Sequence, residues 1–140
     1  MGTILVLYSG MRGVVVWSVE SAVLFVVSIF AGALIYTSIK LFFASFSFWI
    51  KRSGPFLQFA YELADFAKYP TDIYARGIRF VITWVIPFAF VAYLPASYFL
   101  GVAGRSGGII AVECAIAVIF WLIAYGVFRK GLQRYESAGN

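Results

Sequence analysis

The chain of 140 residues has no histidine, one cysteine and four prolines, and only 12% of it is charged. Each scarcity removes a class of function. Without histidine the commonest general base and metal ligand is missing, and no Cys/Asp/Glu cluster has the spacing of a metal site. Cys114 has no intrachain partner for a disulfide, and its apolar neighbours make it a small packed hydrophobe. No Gly-x-x-x-x-Gly-Lys-Ser/Thr loop occurs, so the chain does not bind ATP in the P-loop manner. Gly104, Ser106 and Gly108 do match Gly-x-Ser-x-Gly, but a glycine-rich turn generates that spacing by chance. No histidine or nearby lysine is there to activate Ser106. The net charge of +5 is scattered over the ends of apolar runs and forms no basic face, which argues against nucleic acid.

What the chain has in abundance is apolar surface. Hydrophobic residues make up 63% of it and the mean hydropathy is +0.93, outside the range of a soluble fold. The chain is therefore an all-α integral membrane protein. It opens with a short apolar stub, 4–8, too brief to span a bilayer or to serve as a signal-peptide core, which leads to the expectation of a further spanning helix upstream. Residues 14–39 form a first span, about 39 Å long as a helix and so long enough to cross with tilt. Gly32 is a place where it could bend, Glu20 lies near its outer end, and Lys40 marks the opposite interface. Beyond Lys40 the rings of Phe42, Phe43, Phe46, Phe48 and Trp49 are expected at headgroup level. A register running from about 27 to 50 would instead leave Lys40 near the middle of the membrane.

Residues 54–69 are the one clearly amphipathic stretch. On a helix, Gln58, Glu62, Asp65 and Tyr69 share a polar stripe, with Lys68 at its flank, while Phe56, Phe59, Leu63 and Phe66 fill the opposite side. Pro55 suits a first helical turn and Pro70 closes the segment. This helix lies on a membrane and does not cross it. A second apolar run, 78–100, carries Pro87 and Pro95, and each removes a backbone donor and obstructs the preceding turn. The span is therefore expected to be kinked or broken, with the freed carbonyls finding donors inside the protein. The turn GVAGRSGG leads to a last span, 109–128, and a polar tail.

Basic residues set the orientation. Lys51, Arg52, Lys68, Arg76 and Arg79 lie in the central connection and Arg129, Lys130 and Arg134 in the tail, against Arg12 and Arg105 on the other side. The positive-inside rule then puts the amphipathic helix and the C-terminus in the cytoplasm. Glu113, one turn into the last span, either faces the bundle or an aqueous path, or reaches back to the outer interface and Arg105. The interface is favoured, since Glu113 is about 6 Å from the expected helix start. Glu20 stands at a similar height, and the two could line an outer vestibule. Glu20, Pro87, Pro95 and Glu113 are the pathway candidates.

Several stretches together carry a resemblance. FW at Phe48 and Trp49, AKYP at 67–70, IY at Ile73 and Tyr74, IPFAFVAYLPA at 86–96 and the closing RYESAGN resemble the C-terminal half of ABC-2 type transporter permeases, in the branch related to drug and viologen exporters. The likeness runs from about Ile29 to Asn140. It implies that 14–39, 78–100 and 109–128 are the fourth to sixth spans of a six-span domain. It also implies that the amphipathic helix docks a separate nucleotide-binding ATPase through Gln58, Glu62, Asp65, Lys68 and Tyr69. A second permease subunit would complete the pathway in the inner or plasma membrane. The chain itself would hold no cofactor and do no covalent chemistry, with ATP and Mg²⁺ confined to the ATPase. The alternative is a small membrane scaffold that binds partners without transporting anything. Arg129, Lys130, Arg134 and Tyr135 read as the anchor of the last span, each basic residue drawn to anionic headgroups by about 1 kcal/mol. Truncation at Gly131 is expected to lower membrane yield or partner binding; equal values for the truncated and full chains would rule the anchor out.

Overall fold

A computed structural model describes residues 18–49, 54–65, 73–100 and 108–133. Every element in them is helical. Helix α1 spans Val19–Ser45 and runs on as a 3₁₀ turn, Phe46–Phe48. Its start is fixed by Ser18, whose hydroxyl accepts from the Ser21 N–H at 3.1 Å while the Ser21 hydroxyl accepts from the Ser18 N–H at 2.8 Å, a reciprocal cap. Helix α2 is Gly54–Asp65, within the expected amphipathic segment. The second apolar run is α3, Arg76–Phe80, a π-helical turn Val81–Val85, a 3₁₀ turn Phe88–Phe90 and α4, Tyr93–Phe99. Helix α5 spans Gly108–Leu132. Two helices, Val19–Phe48 and Gly108–Leu132, are long and apolar enough to cross a membrane, and the run between them makes a third crossing with a 71° bend.

The break lies at Ile86 and Pro87, as the sequence leads one to expect, but the two prolines act differently. Pro87 sits at the centre of an inverse γ-turn, φ −70° and ψ 52°, with the Phe88 N–H donating to the Ile86 carbonyl. Just before it, the Ile86 N–H reaches five residues back to the Val81 carbonyl, so the helix has already widened into a π-turn. Pro95 breaks nothing. It stands in the first turn of α4, where a missing donor is harmless to the helix that follows.

Contacts along their length show that α1 and α5 run parallel. Ser28 meets Glu113 near the two starts, and Phe48 packs on Phe128 and Gly131 near the two ends, ring centroids 5.6 Å apart in the aromatic pair. Two parallel helices in one chain require the connection between them to travel back their full length. The bent run does this, since Val91 lies on Gly32 while Phe99 stacks edge-on against Phe25 at 5.3 Å, so that α4 descends antiparallel to α1. The bend therefore belongs to a crossing and not to a loop that re-emerges on its own side.

The core forms where this break meets the parallel pair. Phe88 and Phe90 are buried against Ala31, Ile35 and Ile39 of α1 and Ala117 of α5, with Leu94, Cys114 and Phe120 around them. Gly32 does not bend α1, which is continuous through it. Its lack of a side chain serves close approach: a Cβ there would fall 2.8 Å from the Val91 carbonyl oxygen. Two of the buried serines in α1 satisfy themselves on their own helix, Ser38 donating to the Leu34 carbonyl and Ser45 to that of Leu41, each at 2.6 Å.

Gly32→Ala should therefore push backbone against backbone and destabilise the fold by about 1–3 kcal/mol. Gly126→Ala, where a Cβ meets nothing within 4 Å, should be neutral or stabilising by up to about 1 kcal/mol. Thermal unfolding of the two variants side by side in detergent checks the difference.

Candidate functional site

Two regions carry polar chemistry on this otherwise apolar frame. The first is α2. Its Phe59 ring stacks edge-on against Phe43 of α1, centroids 6.0 Å apart, and its Tyr61 ring receives the Lys40 ammonium at 5.0 Å. The same ammonium stands 4.3 Å from the Tyr36 ring one turn earlier on α1. Lys40 is thus clasped between rings of two helices, an arrangement that keeps a cation close to apolar surface. Helix α1 does not end at Lys40, as the reading of 14–39 has it, but runs on to Ser45. The charge stays at the level of α2 because the long side chain reaches across to it.

Gln58 and Glu62 of the polar stripe are exposed. Asp65 is the last residue of α2, its side chain outside the described residues, as are Lys68 and Tyr69. Because α1 and α5 are parallel, α2 and the basic turn Arg129–Lys130 of α5 lie at the same end of the bundle. Arg129 rests over the Tyr125 ring at 5.9 Å. Arg134 and Tyr135, together with Ser106 of the glycine-rich turn, lie outside the described residues.

The second region is inside the bundle. Glu113 does not reach back to the interface; it is fully buried, turned toward α1, and the Ser28 hydroxyl donates to it, at 2.9 Å from Oε2 and 3.1 Å from Oε1. The reason is packing. The helical phase that puts Ala117 and Ala124 in the core also puts Glu113 there, one and three turns earlier, and a hydroxyl on α1 at that level receives it. Glu20 is exposed in the first turn of α1, about 12 Å along the helix from Ser28. Glu20 and Glu113 therefore share no vestibule. Pro87 is buried at the break and Pro95 at the start of α4.

The Ser28–Glu113 pair, the seating of Val91 on Gly32 and the Lys40–Tyr61 contact are not foreseen in the sequence. A signal existed for the α1 side of the first two: Ser28, Gly32, Ile35 and Ser38 fall on one face of α1, and small or hydroxyl residues at that spacing mark helix contacts inside membranes. Nothing in the sequence pairs Val91 with Gly32.

The arrangement is that of a helical multi-pass membrane protein with a broken crossing at its centre and an amphipathic helix lying against one end. The family profile described as ABC-2 family transporter protein matches residues 1–139, and the chain belongs to that family. ABC-2 family permeases are the membrane components of ABC transporters, which work with ATPase subunits and are not themselves catalytic. Searches of curated proteins and of solved structures find no match.

If the break serves transport, Pro87→Ala is expected to leave membrane yield unchanged and to alter transport, because it returns one backbone donor to a turn that the surrounding core already encloses. Loss of yield without a transport effect would assign the break to packing alone; fluorescence-detected gel filtration and efflux from vesicles measure the two.

Proposed function

We infer that the chain is the permease subunit of an ATP-driven exporter in the inner or plasma membrane, with α2 as the cytoplasmic element that docks a separate nucleotide-binding ATPase. The observation that carries this is α2 itself, in a chain of the ABC-2 family. It is tied to α1 through Phe59 and Tyr61, while Gln58 and Glu62 are open to solvent. Helices held by lipid alone usually present lysine and arginine to anionic headgroups, whereas this stripe is acidic and suits basic or donor groups on a protein. The excess of basic residues in the central connection and tail supports a cytoplasmic position for that end of the bundle. The motifs at 48–49, 67–70, 73–74, 86–96 and 134–140 favour the branch of drug and viologen exporters.

A mechanical route follows from the contacts. Closure of two partner ATPases on ATP pushes α2, and α2 bears on α1 through the Lys40 clasp and the Phe43–Phe59 pair. Helix α1 in turn touches the broken crossing at Gly32 and Val91. A rigid helix loaded at one end and seated on a hinge midway is a means of switching a two-subunit pathway between inward-facing and outward-facing states. The chain moves substrate and leaves bond-breaking to the ATPase.

Changing Glu62 and Asp65 together to lysine is expected to leave membrane insertion intact, since attraction to lipid only grows. It should lower ATPase co-purification and ATP-dependent efflux by about tenfold or more, the worth of one or two charge-assisted hydrogen bonds. Parent-like binding and transport in the double variant would remove α2 from the docking role. Stable association of the parent with an ATPase, without any efflux, would favour the scaffold reading instead.

A further inference from the structure

The polar cluster beside the break has more acceptors than donors. Ser28 contacts both carboxyl oxygens of Glu113, but a hydroxyl carries one hydrogen and serves only one of them at a time. The Val91 carbonyl is a third acceptor. Val91 precedes Ala92, the N-cap of α4, so its carbonyl takes no part in the hydrogen-bond ladder of that helix. No backbone donor to it is seen among the described residues. A Cβ on Gly32 would lie 2.8 Å from the Val91 oxygen and 3.6 Å from Glu113 Oε1, which means that the two oxygens border the same small space. The Val91 and Glu113 oxygens thus border one space beside Gly32, and the Ser28 hydroxyl is the one donor seen there among the described residues.

On the helices that carry Ser28 and Glu113, the described basic residues are distant. On α1, Glu20 is in the first turn and Lys40 is about 18 Å from Ser28 along the helix, over its two tyrosine rings. The stretch from Ile86 to Leu100 holds no charged residue, only Tyr93 and Tyr98 as titratable groups, and on α5 Cys114 adjoins Glu113 while Arg129 and Lys130 are about 24 Å along the axis or more. Among the described residues no lysine or arginine pairs with Glu113. A bare carboxylate enclosed in a bilayer is costly, and it is relieved by a neutralising ion or proton.

We propose that the Glu113 carboxyl, the Ser28 hydroxyl and the Val91 carbonyl form a buried site for one small monovalent cation, either a proton or an alkali ion. Oxygen donors of this kind suit hard cations, and carbonyls exposed where a membrane helix is interrupted are well placed to hold them. A proton on Glu113 supplies the missing donor, with Ser28 bonding one oxygen and the other turned toward Val91. An alkali ion instead draws the same oxygens together by charge. In either form the occupant ties α1, α4 and α5 at the break, so release of the Val91 carbonyl from Gly32 and loss of the cation go together.

Infrared difference spectra of the full chain in lipid vesicles test this, first in alkali-free buffer with pH varied and then at fixed pH with sodium or potassium chloride added. A carboxyl band that responds to pH alone identifies a proton, and one that responds to an alkali ion identifies the metal. Glu113→Gln should lose the response, and Ser28→Ala should keep it with the midpoint displaced at least tenfold in cation concentration. No band responding to either cation overturns the proposal, and so does a parent-like midpoint in Ser28→Ala. The latter variant carries the assignment if Glu113→Gln fails to fold. Disappearance of the response in Arg105→Gln also overturns it, since an arginine would then be the counter-charge.

Discussion

A helix interrupted inside a bilayer exposes backbone that lipid cannot hydrogen-bond, and the fold is an answer to that constraint. The break at Ile86 and Pro87 is enclosed by protein: Phe88 and Phe90 bury their rings between α1 and α5, and Gly32 lets the Val91 backbone lie against α1. Helices α1 and α5 pack on each other along their length, and the returning crossing lies against them with its break covered. Part of the local demand is met within the turn, through the Ile86 and Pro87 carbonyls.

The treatment of polar groups follows the same rule of enclosure. Ser38 and Ser45 on the buried face of α1 return their hydrogens to carbonyls of their own helix, so they cost little and demand no partner. Lys40 avoids burial by lying along aromatic rings toward the amphipathic helix. Glu113 is the exception, since its short side chain sits on the core face of α5 and has only Ser28 to meet it. The exposed faces are apolar all along α1 and α5, Val23, Phe30, Val118 and Leu122 among them, as expected of helices bordered by lipid or by further membrane helices.

Much of this was legible in the chain. The apolar runs announce themselves by length and composition, and prolines within one of them foretell a break, because a missing N–H is a chemical fact that no context restores. Pro95 shows where such reasoning stops. A proline that interrupts a helix and one that begins a new one look alike in sequence, and only the bend at Pro87, which resets the helix count, puts Pro95 in a first turn. The Glu113 expectation went astray for a related reason: depth along a helix can be counted from its end, but the direction of the side chain depends on which face the neighbouring helices cover.

The sequence by itself determined that this is a helical membrane protein with three apolar runs, a broken middle one and an amphipathic helix of acidic stripe. Those properties follow from hydrophobicity, periodicity and backbone chemistry, which act within a few residues. Tertiary structure alone decided that α1 and α5 run side by side in the same direction, that Gly32 is a seat for Val91, and that Ser28 faces Glu113. Such contacts join residues far apart in the chain, through surfaces that exist only once helices have packed.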